Sequence, residues 1–360
     1  MNEEFLSALS AIEREKGVRK EILFEAIEAA LVSAYKRNFN SAANVRVQLD
    51  RETGEIRVFM RLVVVEGVPQ PQLEISLDEA ARINRSYKCG DIIEQEVTPK
   101  NFGRIAAQTA KQVVIQRIRE AERELVFEEY IDREDDIING IVQRTEQKNV
   151  ILDLGKTEAV LAPAEQMPTD NYRQGERIKA YITEVRKTTK GPQILISRTH
   201  PGLLKRLFEL EVPEIFDGTV EIKSVAREAG WRSKLAVHSR NKDVDPVGAC
   251  VGPKGARVQA IVNELRGEKI DIVKWDENPE VYVANALSPA KVLRVRLQEE
   301  QKLASVVVPD YQLSLAIGRE GQNARLAARL TGWKIDIASE GQVQQPATAE
   351  SQVAEGREGV

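Results

Sequence analysis

The stretch "CVGPKGARVQ" begins at Cys250 and "AIGREGQNAR" begins at Ala316. Each carries Gly-x-x-Gly after an apolar residue and then runs into a helical pattern. Gly252 and Gly318 are 66 residues apart, as are Gly255 and Gly321. Further on, "ELRGEKIDIV" from Glu264 matches "RLTGWKIDIA" from Arg329 at a shift of 65, so one residue is lost between loop and strand. Identity at Leu, Gly, Lys, Ile, Asp and Ile in one such window marks a duplication. Strand-like runs precede each loop, at 219–226 and 232–238, then at 293–298 and 303–308. Each copy reads as helix, two strands, helix, GxxG, helix, strand. Two copies make a pair of tandem domains rather than a solenoid, which needs three or more repeats.

The loop chemistry suits a sugar–phosphate backbone. Gly252-Pro253-Lys254-Gly255 and Gly318-Arg319-Glu320-Gly321 sit between helical segments. Glycines permit a tight turn and a close backbone approach. The helix that follows offers unpaired N–H groups and the positive end of its dipole. Lys254 and Arg319 add a positive charge, and Val251 and Ile317 are placed to floor a groove for bases. Glu320 departs from an all-basic loop, and two readings stand: it weakens phosphate contact in the second copy, or it pairs with Arg319. A single GxxG is often only a helix–helix turn. Two in the same frame point to binding.

The rest of the chain divides by period. The sequence has 360 residues, material for about two to four domains. In residues 1–40, Ile22, Leu23, Ala26, Ile27, Ala30, Leu31 and Ala34 make one apolar helical stripe. Val45, Val47 and Leu49, then Ile56, Val58, Met60, Leu62 and Val64, alternate with polar residues as a hairpin with Gly54 in its turn. Residues 104–127 return to helix, with Ile105, Val113, Val114, Ile118, Ala121 and Leu125 on one face. The acidic cluster Glu134, Asp135, Asp136 reads as a solvated junction. Five short strands follow, near 137–143, 149–154, 158–162, 177–185 and 193–197, the size of an OB-fold barrel. From about residue 339 the chain loses periodicity and reads as disordered.

Composition narrows the function. The net charge is −4, so a nucleic-acid site must be local rather than a global basic field. No run of about 18 apolar residues is present to span a membrane, and "MNEEFLSALS" lacks the features of a signal peptide. Cys89 and Cys250 are too few for a disulfide framework or a zinc site. A reduced, cytoplasmic setting is expected. "LGKT" at 154–157 lacks the first glycine of a phosphate-binding loop, since position 150 is Val. His200 and His238 have no ligand partners at metal spacing and read as structural. Trp231, Trp275 and Trp333 flank the duplicated units and read as core or interface packing in preference to base stacking. No nucleophile–base pair, metal constellation or cofactor motif is found, so a binder rather than an enzyme is expected.

The duplicated unit resembles the KH domain, in which a GXXG loop clamps about four nucleotides of single strand. The barrel resembles an S1 domain. Its stretch from Gly140 to Pro163 has no aromatic residue for base stacking. Either it binds RNA through Arg144, Lys148, Arg186, Lys187 and Lys190, or it is a packing module. An S1 unit followed by two KH units is similar to the NusA family of bacterial transcription factors. "FGRIAAQTAKQ" at 102–112, "RTHPGLLKRLFELEVPEIFDGTVEIKSVAREAG" at 198–230 and "DPVGACVGPKGARVQAIVNELRGEKIDIV" at 245–273 carry the likeness.

That resemblance implies a multidomain α+β protein. Its parts would be an N-terminal α+β domain that binds RNA polymerase (1–130), an S1 OB-fold β-barrel (134–199), two tandem prokaryotic-type, type II KH domains (200–279 and 280–340), and a short disordered tail (341–360). The expected partners are core RNA polymerase, single-stranded nascent RNA and other Nus factors, with the chain a monomer. The expected outcome is control of pausing, termination and antitermination. Some family members carry acidic repeats after the second KH unit; this chain is expected to lack them and their functions. Two rivals remain: an exoribonuclease that also joins KH and S1, for which 1–130 lacks phosphate and metal sites, and a free-standing RNA-binding or chaperone protein without polymerase contact.

Overall fold

The computed structural model describes residues 3–39, 44–67, 69–70 and 72–344. The chain divides into two compact units, Met1–Glu128 with Thr189–Gly191, and the remainder.

In the first unit, helices α1 (Glu3–Lys16) and α2 (Lys20–Phe39) precede strands β1 (Val45–Leu49) and β2 (Ile56–Val65). These strands form the expected hairpin, with Val47 opposite Val58. Asp50 closes the turn by accepting from the amides of Glu52 (2.9 Å) and Thr53 (2.7 Å), and Gly54 takes φ 68°. Beyond the hairpin, β3 (Glu74–Ser76) and β4 (Ile92–Glu96), with α3 (Leu77–Ile83) between them, are too short to show a period in the sequence; the two strands complete a four-stranded sheet around β2. Helix α4 spans Phe102–Ile131. Leu23, Ile27 and Leu31 of α2 pack with Val47, Val58, Phe102, Ala106 and Ala110 in one core. Ile22 and Leu125, expected on the apolar stripes, are instead exposed. Only the first half of α4 contributes to this core; further along the helix Leu125 is exposed while Tyr130 is buried.

The second unit begins with a barrel. Strands β5 (Ile137–Glu146), β6 (Asn149–Asp153), β7 (Glu158–Leu161), β8 (Arg177–Thr188) and β9 (Gly191–Ser197) close in the order β5-β6-β7-β9-β8. Alternation buries Ile138, Val142, Val150, Leu152, Ile182 and Ile194 inside. Gly140 is required there: a Cβ would lie 2.8 Å from Leu152 Cδ2. The acidic cluster is the junction expected, with Asp135 exposed and Glu134 and Asp136 half-buried, and it is hydrogen-bonded as well. Glu134 accepts from the Val185 amide at 2.6 Å, Asp135 from the Tyr181 hydroxyl at 2.9 Å, and Asp136 from the Ile137 amide at 2.7 Å.

Two copies of one topology follow. The first has α5 (Pro201–Glu211), α6 (Pro213–Phe216), β10 (Val220–Glu228), β11 (Arg232–Ser239), α7 (Pro246–Val251), α8 (Ala256–Glu264) and β12 (Lys269–Lys274). The second has α9 (Pro279–Ala286), β13 (Arg294–Gln298), β14 (Leu303–Val308), α10 (Leu313–Ile317), α11 (Gln322–Thr331) and β15 (Lys334–Ser339). In each, the first two strands are antiparallel and the third joins parallel to the second, so the GxxG helices form the crossover. A further helix, α12 (Glu340–Gln344), occupies the start of the expected tail; residues 345–360 lie outside the described residues.

Barrel and KH pair are joined by continuous cores. Met167 and Tyr181 of the barrel pack with Leu203, Leu207 and Phe208 of α5. Buried Arg198 donates to Asp170 at 2.8 Å and to the Lys179 carbonyl at 2.7 Å. His200 accepts from the Gly202 amide and stacks on Tyr181, with ring centroids 4.6 Å apart, so it is structural as expected. Between the KH copies, Ala226, Ala236 and Val273 of the first share a core with Val283, Leu326 and Leu330 of the second. Ser224 donates to the Leu330 carbonyl at 2.8 Å, and buried Lys234 to the Ser288 carbonyl at 2.8 Å.

Candidate nucleic-acid interface

The two loops have one backbone. Asp245 caps α7 by accepting from the amides of Val247 (3.2 Å) and Gly248 (2.9 Å), with Pro246 at the first helical position. The chain then turns at Gly252 (φ 72°, ψ 176°), a region open to glycine alone, and again at Gly255 (φ 78°, ψ 14°). Gly318 (φ 75°, ψ 173°) and Gly321 (φ 74°, ψ 14°) repeat these turns after α10. The outer glycines are also needed for space. A Cβ on Gly252 would meet Arg257 Cγ at 2.7 Å, and one on Gly318 would meet the Asn323 amide nitrogen at 2.8 Å.

Behind each loop, α8 and α11 start without a side-chain cap. By contrast α5, α7 and α9 are capped by His200, Asp245 and Asn278. Each loop enters its helix through one tight turn, in which Ala256 and Gln322 donate their amides to the Pro253 and Arg319 carbonyls, and the positive end of the helix dipole lies at the loop. Val251 is half-buried and Ile317 is exposed at 37%, so each can meet a base beside its loop. Pro253 and Lys254 are exposed, as are Arg319 and Glu320.

The positive charges fall at different places in the two loops. Position for position, Arg319 corresponds to Pro253, and Glu320 corresponds to Lys254. Arg319 and Glu320 lie 3.6 Å apart as a fully solvated ion pair, which holds little energy. Arg257 is committed to structure: it donates to Glu214 at 2.9 Å and to the Ala249 carbonyl at 2.6 Å. Cys250, beneath the first loop, is buried, and burial pushes its thiol up to about 12. It packs as a small apolar side chain rather than as a reactive group.

None of the barrel's five candidate basic residues lines the clefts beside the second loop. Arg144 is held by Glu158 (2.7 and 2.9 Å) and Glu146 (2.6 Å). Arg186 is held by Glu184 through two contacts of 2.5 Å. Lys148 sits in the β5–β6 turn at φ 69°, and Lys187 and Lys190 lie at the β8–β9 turn. Trp275 and Trp333 pack against the second copy's core, as expected. Trp231 does not: it is 64% exposed, at the tip of the β10–β11 hairpin, across from the second loop. The signal was local. A tryptophan between two strands, after Gly230, sits at a turn rather than in a core.

A barrel of this topology fused to two GXXG units defines an S1–KH protein of the RNA-binding class. Residues 131–197 match the S1 RNA binding domain family. Residues 4–124 match the NusA N-terminal domain, 198–275 the NusA-like first KH domain, and 279–345 the NusA-like second KH domain. The chain belongs to the NusA family. It is 67% identical, over 98% of its length and 93% of the relative's, to the transcription termination/antitermination protein NusA of Halalkalibacterium halodurans. It is 67% identical to the protein of the same name from Bacillus subtilis, over 94% of this chain and 92% of that one. The solution structure of the N-terminal domain of NusA from B. subtilis, also 67% identical, covers 33% of this chain and 97% of its own, with a TM-score of 0.31. Among the described residues no helix is long and apolar enough to cross a membrane.

Proposed function

We propose that this chain acts in transcription termination and antitermination by holding emerging single-stranded RNA while its first domain is bound to core RNA polymerase. The observation that carries the reading is the shared backbone of two GXXG loops on one joined KH pair, within a family whose curated members bear that name. The RNA contacts are assigned to Val251, Gly252, Pro253, Lys254 and Gly255, and to Ile317, Gly318, Arg319, Glu320 and Gly321. Residues 1–130 are assigned the polymerase contact, and other Nus factors the role of co-assembling partners on a monomeric chain. Tethering raises the effective RNA concentration, so weak clamps suffice. The chain works by binding, without a chemical step of its own.

Transcription in vitro on a template with an intrinsic terminator tests this. The full chain is expected to alter pausing and read-through, and to co-purify with core polymerase. The Lys254→Asp, Arg319→Asp double variant is expected to keep polymerase binding and lose the effect. Retention of RNA without any polymerase association would instead make the chain a free-standing RNA binder.

A further inference from the structure

We propose that Trp231 is a base-stacking platform that completes the second loop, so that the second clamp is a composite site drawn from both KH copies. The proposal rests on the RNA-binding reading above and adds a residue of the first copy to the site of the second.

The geometry carries it. Trp231 walls a cleft of about 400 Å³ whose other wall holds Pro289, Gly318, Arg319 and Gln322. An adjoining hollow of about 250 Å³ shares Trp231, Arg319 and Gln322. The larger volume is in the range of sites that enclose small ligands. Lys269 and Arg319 bring positive charge to the cleft. Asn323, 3% exposed, also lines it; its Nδ2 donates to the Ala316 carbonyl at 3.0 Å, while its Oδ1 is buried without a hydrogen-bond partner. Asn323 therefore ties the floor of the cleft to the end of α10 rather than offering a group to a ligand.

The hairpin tip that carries the ring is pinned through its backbone. Trp231 donates its amide to the Glu228 carbonyl at 3.0 Å and accepts from the Lys269 amide at 3.1 Å. The preceding Gly230 amide donates to Glu268 at 2.9 Å. Glu268 is fully buried and is itself gripped by Arg227 (two contacts of 2.8 Å) and Ser233 (2.6 Å). The backbone beneath the ring is thus set in place, and only the two torsions of the indole are left to order when a base stacks on it.

The asymmetry of the two loops gives the platform a purpose. The second loop carries Glu320 where the first carries Lys254, so its electrostatic grip is weaker. The equivalent hairpin tip of the second copy, Glu299–Lys302, has no aromatic residue. The first clamp therefore holds mainly by charge and the second mainly by stacking. Stacking accepts any base, since every base has a π-face.

The test uses the full chain and a single-stranded RNA of about twelve nucleotides, roughly three times what one loop clamps. Abasic positions are walked along the strand. Trp231→Ala is expected to weaken binding about tenfold with an unchanged salt slope, and Trp231→Phe to retain most of the affinity. Wild type should lose affinity at one or two adjacent abasic positions, and Trp231→Ala should be indifferent to them. If Trp231→Ala binds like wild type while Lys254→Asp, Arg319→Asp binds weakly, the platform is wrong and the RNA-binding reading stands. If neither variant changes affinity, that reading fails and the platform with it. If Trp231→Ala weakens binding but remains as sensitive as wild type to every abasic position, Trp231 only shapes the loop, and the platform is overturned.

Discussion

Lys254 and Glu320 hold the same place in the two loops, at φ 52°, ψ 25° and φ 53°, ψ 26°. Both are exposed, so exchange of charge there should leave the fold alone. Glu320→Lys is expected to raise affinity for single-stranded RNA and to steepen the dependence of log affinity on log salt by about 0.7; Lys254→Glu should do the reverse by a similar amount. Fluorescence anisotropy over a salt series reads both. Equal slopes for all three proteins would show that this loop position does not meet phosphate.

The four loop glycines should not be equivalent. Gly318→Ala meets backbone as well as an unfavourable φ and is expected to cost about 2–3 kcal/mol. Gly252→Ala meets the flexible stem of Arg257 and should cost less. Gly255→Ala and Gly321→Ala meet no atom within 4 Å, so only the left-handed backbone opposes them, at about 1 kcal/mol. Urea unfolding ranks the four, and a Gly321→Ala loss as large as that of Gly318→Ala would contradict this ordering.

Glu268 should govern acid stability near the hairpin tip. Burial alone would push its carboxyl up, but Arg227, Ser233 and the Gly230 amide outweigh burial and hold it below its ordinary 4.5. A carboxyl depressed in the folded state stabilises above its unfolded pKa, and that stability is lost as pH falls through the folded value. Glu268→Gln should therefore cost about 3–5 kcal/mol near neutrality by leaving Arg227 buried and unpaired. The gap to wild type should narrow as pH drops below 4.5. A gap constant down to the acid transition would rule out this linkage.

The barrel offers a sharper choice than its composition did. Because Arg144 and Arg186 are already matched by carboxylates, Arg144→Ala and Arg186→Ala are expected to change RNA affinity by less than about twofold, or ~0.4 kcal/mol. A tenfold loss would put the barrel on the RNA path and end its reading as a packing module.

The duplication, the five barrel strands and the β1–β2 hairpin were legible because each rests on a period or a repeat within one stretch of chain. The small β3-α3-β4 insertion was not, since its strands are too short for alternation to stand out. In α4 the apolar residues continue past the point where the core ends, so the helical period misassigned Leu125. At the site, the loops were legible from spacing. Pairing Lys254 with Arg319 by charge concealed that Glu320 is the true counterpart of Lys254. Gly230 marks Trp231 as a turn residue locally, but the cleft it faces is built by residues far along the chain, which no local pattern shows.

The common core that runs from Ala226, Ala236 and Val273 into Leu326 and Leu330 has a mechanical consequence. Two clamps set on one solid piece cannot slide apart to suit a strand. If both hold RNA as proposed, they are the jaws of a caliper: a transcript is gauged by whether its span between two grips fits a gap set by the shared core.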